Sequence, residues 1–73
     1  GYTLAFASLL SESRARALAD RLRVDGRPPR VVVSTSEGAT IYRVVSGPYP
    51  TREAAEAAGR RSGVSFWVFV GLP

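Results

Sequence analysis

The chain reads as an α+β domain with the element order β-α-β-β-α-β. Three observations predict it. Bulky and small residues alternate at the start, two alanine- and arginine-rich segments have helical spacing, and β-branched runs flank a glycine-containing turn. At 73 residues the chain is one domain, residues 1–73.

In Tyr2-Thr3-Leu4-Ala5-Phe6-Ala7, large side chains at Tyr2, Leu4 and Phe6 alternate with small ones, which is the period of a strand with one bulky face. Ser11 then offers an N-cap and Glu12 suits the positive end of a helix. Ala15, Leu18, Ala19 and Leu22 recur at helical spacing, and Gly26 before Pro28-Pro29 is the expected stop. Arg30-Val31-Val32-Val33-Ser34 is a second strand, residues 36–39 a turn, and Thr40 to Ser46 a third strand, making a hairpin. Gly47-Pro48-Tyr49-Pro50 is expected to break that strand. Thr51 caps a second helix rich in alanine, Gly63 closes it, and Ser65 to Val70 forms the last strand.

This order predicts a ferredoxin-like, four-stranded antiparallel sheet with both helices on one face and the other face open. Right-handed crossovers put the first and third strands in the centre. Leu4 and Phe6 should face the helices, so Thr3, Ala5 and Ala7 floor the open face. Tyr42, Val44 and Ser46 point inward, leaving Ile41, Arg43 and Val45 outward. On the last strand, Trp67 and Phe69 share one face and Phe66, Val68 and Val70 the other; parity alone does not say which is open.

Composition removes most chemistry. Ten cations, all arginine, face six carboxylates for a net charge of +4, and Cys, His and Met are absent. A Ser-His-Asp triad, a Cys/His zinc site and a disulfide scaffold are therefore excluded. No nucleophile has a base partner and no phosphate-binding glycine pattern appears, so no enzyme and no cofactor are expected. No apolar run approaches the roughly 20 residues of a membrane span.

Three blocks carry a resemblance. They are Tyr2 to Ser8, the Ser11 to Gly26 helix region, and Ile41-Tyr42-Arg43-Val44-Val45-Ser46-Gly47-Pro48-Tyr49 followed by Thr51-Arg52-Glu53-Ala54-Ala55. Together they resemble the SPOR (sporulation-related repeat) domain family over essentially the whole chain. The third block is the most specific, close to the family's Tyr-Arg-Val-x-x-Gly-Pro-Phe, with Tyr49 in the last place. The resemblance implies a module that binds denuded glycan strands, peptidoglycan without stem peptides, on the exposed sheet face. It implies a domain excised from a larger protein of the bacterial envelope, periplasmic and enriched at the division septum. Where the family writes Gln on the first strand this chain has Ala5, and Ala7 stands for Gly or Ser. Ile41 stands where some members have Trp.

The expected glycan-binding set is Thr3, Ala5, Ala7, Ser8, Ile41, Arg43, Val45 and Trp67. A small floor beside aromatics suits a flat sugar chain. Loss of the stem peptide exposes the lactyl carboxylate of N-acetylmuramic acid, which an outward arginine can pair with. Arg43 is the expected reader and Arg30 a contributor at the rim. Each has a plainer reading: Arg43 paired with a neighbouring carboxylate, Trp67 as packing, the helix arginines as a solvated face. The expected partner is peptidoglycan, with no nucleic acid, no membrane contact by this domain, and a monomeric state. Two other functions share the topology. An RNA-recognition module would need stacking aromatics on its third strand, and Thr40 to Ser46 lacks the pair. A sheet-mediated interaction module would use an exposed face bearing Ile41, Val45 and Trp67.

Overall fold

The computed structural model describes residues 1–71 and has the expected order: β1 (Tyr2–Leu9), α1 (Glu12–Arg21), β2 (Arg30–Ser36), β3 (Ala39–Tyr49), α2 (Arg52–Ser62) and β4 (Trp67–Val70). The strands form one antiparallel sheet in the order β2-β3-β1-β4, so β1 and β3 are central.

The helices begin where capping chemistry allows. The Ser11 side chain accepts from the Arg14 amide and that of Thr51 from the Ala54 amide. Gly63 ends α2 with φ 78°, a conformation that costs glycine nothing. At the β2–β3 turn, Glu37 and Gly38 both have positive φ, 50° and 79°, the pattern of a two-residue hairpin that matches strand twist.

The core divides bulk unevenly. Both helices present small residues, Ala15 and Ala19 from α1, Ala55, Ala58 and Gly59 from α2. Most large side chains come from the sheet, with Leu18 of α1 and Leu22 and Val24 just after it adding to them. One cluster packs Val44 with Ala15, Ala19 and Leu22, with Phe6, Val31 and Tyr42 against it. A second packs Leu4 with Val24 and Ala58, bordered by Phe6, Tyr49, Phe66 and Val68. Small helical faces let the helices lie close to the sheet, so bulky strand residues fill the gap.

Several boundaries differ from expectation: β1 runs on to Leu9, β2 to Ser36, and β3 starts at Ala39, one residue early. Helix α1 ends at Arg21, five residues before Gly26. Leu22 is already extended, and Arg23 donates to the carbonyls of Asp20 and Leu22. The early exit lets Val24 enter the second cluster, while Gly26 serves a tight turn closed by Val24 and Arg27. Strand β3 does not stop at Gly47-Pro48 but runs to Tyr49. Tyr2 pairs with Tyr49 and Leu4 with Ser46, so the extra β3 residue is absorbed as a bulge. Pro48 is tolerated because β2 starts opposite Val45 and asks for no amide there. Strand β4 begins at Trp67 rather than Ser65.

Candidate glycan-binding face

Strand register fixes which side chains share the face away from the helices. Thr3 pairs with Phe69 and Ala5 with Trp67. Ala5 also pairs with Val45, which pairs with Arg30 on its other side. Directly opposite residues in antiparallel strands point to the same face. Trp67 and Phe69 therefore stand on the outer face with Thr3, Ala5, Val45 and Arg30, which settles the side left open by parity.

A second bulge corrects one expected site residue. Ala5 opposes Val45 and Ala7 opposes Val44, leaving Phe6 as the extra residue. Val44 lies in the helix-side core, and Ala7 packs against the same cluster. Ala7 therefore does not floor the outer face. The extra residue shifts the alternation by one, so Ser8 turns outward directly opposite Arg43. Ser8 is exposed there, and the next outward position of β3, Ile41, pairs with Ser34 of β2.

The floor is small but not bare. Thr3, Ala5 and Val45 each have no solvent exposure. Longer neighbours roof them. The Arg43 guanidinium carbon lies 5.8 Å from the Phe69 ring centroid, a cation–π distance. Since β1 separates β3 from β4, the Arg43 side chain crosses over Ala5 to reach that ring. Trp67 stands beside Ala5 and keeps 45% of its surface exposed. Thr3 donates its hydroxyl to the Gly71 carbonyl, fastening the end of β4.

Polar groups on this face are partly unmatched. Among the described residues, the buried side-chain atoms without a hydrogen-bond partner are the Arg43 Nε and the Ser34 Oγ. Both belong to outward positions, Arg43 opposite Val32 and Ser34 opposite Ile41. An unsatisfied buried polar atom costs on the order of 1–3 kcal/mol, so each is a group that a bound partner, water included, can satisfy. Ser34 and Phe69 were missing from the expected set. The hairpin register would have found Ser34, because a two-residue turn at 37–38 places it opposite Ile41.

Charge is segregated. The six side-chain carboxylates stand on the helices (Glu12, Asp20, Glu53, Glu56), in the loop after α1 (Asp25) and at the hairpin tip (Glu37). The ion pairs among the described residues are Arg16–Glu12 and Arg61–Asp25. Among the described residues Arg43 pairs with no carboxylate. Tyr42 and Tyr49 pack against the core clusters, and the α1 arginines 14, 16 and 21 are solvated.

At the edge where β2 begins, a cleft of about 590 Å³ opens between the segment 24–30 and the bulged end of β3. Arg30 and Val45 line it as well as the outer face, and Arg30 donates to the Gly47 carbonyl. Burial and the nearby Asp25 charge push the Tyr49 phenol above its ordinary value, so the hydroxyl stays protonated at neutral pH.

The outer face thus has aromatic rings along β4, a small apolar floor on β1 and β3, the Arg43 guanidinium reaching across that floor to Phe69, and Arg30 at the β2 edge. No side-chain carboxylate stands among them. Such a surface is suited in shape and charge to a flat, anionic, hydroxyl-rich ligand. No curated protein and no solved structure matches the chain. The family model for the SPOR domain matches residues 1–69. With that match covering nearly all of its length, the chain belongs to the SPOR domain family, whose members are peptidoglycan-binding, non-catalytic modules of bacterial envelope and division proteins.

Proposed function

We propose that the outer sheet face binds glycan strands stripped of their stem peptides, in the periplasm at the division septum, with the domain acting as a monomer. One observation carries this reading: the Arg43 guanidinium, with its unpartnered Nε, lies over the Phe69 ring on a face that also bears Trp67 and Arg30 and whose strands carry no side-chain carboxylate. A stem peptide ties up the lactyl carboxylate of each N-acetylmuramic acid as an amide, and its removal frees an anion. Arg43 supplies a planar fork for that anion, and the rings supply a surface for the apolar faces of the sugars. Thr3, Ala5, Ser8, Ile41, Val45 and Trp67 complete the contact surface. Ser8 and Ser34 add hydroxyls near Arg43. Ala7 contributes only by supporting the bulge from the helix side.

Co-sedimentation with intact and amidase-treated sacculi tests the reading. The wild-type domain should pellet more strongly after amidase treatment. Arg43→Ala should lower the affinity roughly tenfold, the loss of one charge-assisted contact, and flatten the salt dependence. Equal binding by wild type and Arg43→Ala would overturn the assignment of Arg43. Retention on single-stranded RNA with no preference among sacculi would overturn the glycan reading.

A further inference from the structure

The cleft at the β2 edge adjoins the outer face but is not part of its floor. Its lining includes Arg27, Pro28, Pro29, Arg30, Gly47 and Tyr49. The cavity, about 590 Å³, lies in the range of small-ligand sites. Its charge balance is one-sided. The carboxylate that borders it, Asp25, is held in a two-point contact by Arg61, with nitrogen–oxygen distances of 2.8 and 2.9 Å. Arg27 makes no ion pair among the described residues. Arg30 uses Nη1 on the Gly47 carbonyl and keeps its other nitrogens for a ligand. Two adjacent prolines give the wall a rigid apolar surface without amide donors.

Position matters as much as charge. Arg30 and Val45 close the outer row that runs from Trp67 across Ala5, and the same two residues line the cleft. A chain lying across the strands from the aromatic edge would leave the sheet at this point. Four strands about 4.8 Å apart span only about 14 Å between their outer axes, so a long polymer extends past the edge.

We propose that the cleft is an end subsite that takes a carboxylate-bearing pyranose of the same polymer, with Arg27 and Arg30 as its anion donors and Pro28-Pro29 as its apolar wall. The inference rests on the glycan reading of the outer face. It makes the domain a reader of strand length as well as of strand chemistry, because only a chain long enough to cross the sheet reaches Arg27.

Calorimetric titration with a peptide-free glycan disaccharide and octasaccharide tests it. The exposed Arg27 side chain can be changed without touching the backbone bridge between residues 24 and 27. Arg27→Ala and Arg27→Gln should each weaken octasaccharide binding about tenfold and leave the disaccharide, too short to cross the sheet, unchanged. An octasaccharide with its carboxylates amidated should lose the difference between wild type and variant. Equal effects of Arg27→Ala on both lengths, or none on either, would overturn the subsite while leaving the outer-face reading intact. Failure of the wild-type domain to bind either oligosaccharide would instead remove the glycan reading and the subsite with it.

Discussion

Gly59 sits in the middle of α2, where glycine is ordinarily a weakness. Replacing it by alanine in an exposed helix would stabilise by about 1 kcal/mol. Here the surroundings reverse the sign. A methyl group at residue 59 would stand 2.6 to 2.7 Å from three carbons of the Phe66 ring. These atoms include the ring's root and both neighbours, so the collision is with the body of the side chain rather than a flexible tip. Phe66 borders the cluster of Leu4, Val24 and Ala58, and both Leu4 and Ala58 are fully buried, leaving the ring little room to retreat. Overpacking of this kind costs about 1–3 kcal/mol, and the contact belongs at the upper end. Subtracting the propensity gain leaves a net loss of about 2 kcal/mol, which in a domain of this size lowers Tm by roughly 8–16 °C. Urea unfolding of Gly59→Ala, followed by far-ultraviolet circular dichroism and Trp67 fluorescence, measures it. Phe66→Leu and the double variant close a thermodynamic cycle that should show a coupling above 1 kcal/mol in favour of the double variant. A rise in the Gly59→Ala midpoint, or a coupling near zero, would refute the argument that α2 lies against the sheet through this glycine.

Two further outcomes follow from the helix ends and the loop contact. The Arg61 hydrogen bond holds the Asp25 carboxyl below its ordinary value of 3.8. A lowered folded-state value means the contact stabilises above about pH 4 and is lost as pH falls through the lowered value. Both partners are exposed, so the effect is small, but thermal melts of Arg61→Ala between pH 2 and 5 should show a shallower acid dependence than wild type; identical slopes would contradict it. Thr51→Ala removes the acceptor for the Ala54 amide and should cost about 1 kcal/mol, with Thr51→Ser close to wild type in the same melts.

Element order, both N-caps, the αL end of α2 and the central placement of β1 and β3 were legible because each depends on local chemistry or on side-chain period. The inward set of β3 was legible for the same reason, since alternation from Tyr42 to Ser46 is unbroken. The outer face was legible only up to Phe6. A bulge adds one residue without any compositional mark in Phe6-Ala7, and past it strict alternation puts Ala7 on the wrong side, while Ser8 entered the expected set through the family pattern rather than parity. The end of α1 was hidden differently. Gly26 looks like a helix stop, but the burial of Val24 beside Leu4 and Ala58 is a long-range demand that ends the helix earlier. Phe69 and Trp67 needed a partner strand, because four residues of β4 carry a period but no sign.

The Ala5 position shows how one small residue reorganises the site. The family pattern puts Gln there, whose amide would project from the floor between Trp67 and Val45. With alanine, that space lies under the Arg43 side chain, and Ala5 is wholly covered although it faces away from the helices. The guanidinium rests on Phe69 while its Nε finds no acceptor, so the resting contact satisfies the ring and leaves a donor unspent. A cation–π contact of this partly exposed kind is worth about 0.5–1 kcal/mol, less than the 1.5–3 kcal/mol of a hydrogen bond to a charged group. On the glycan reading, a carboxylate arriving above the floor would draw Arg43 off the ring at small cost, and the same movement would uncover Phe69 and Ala5 for the sugar.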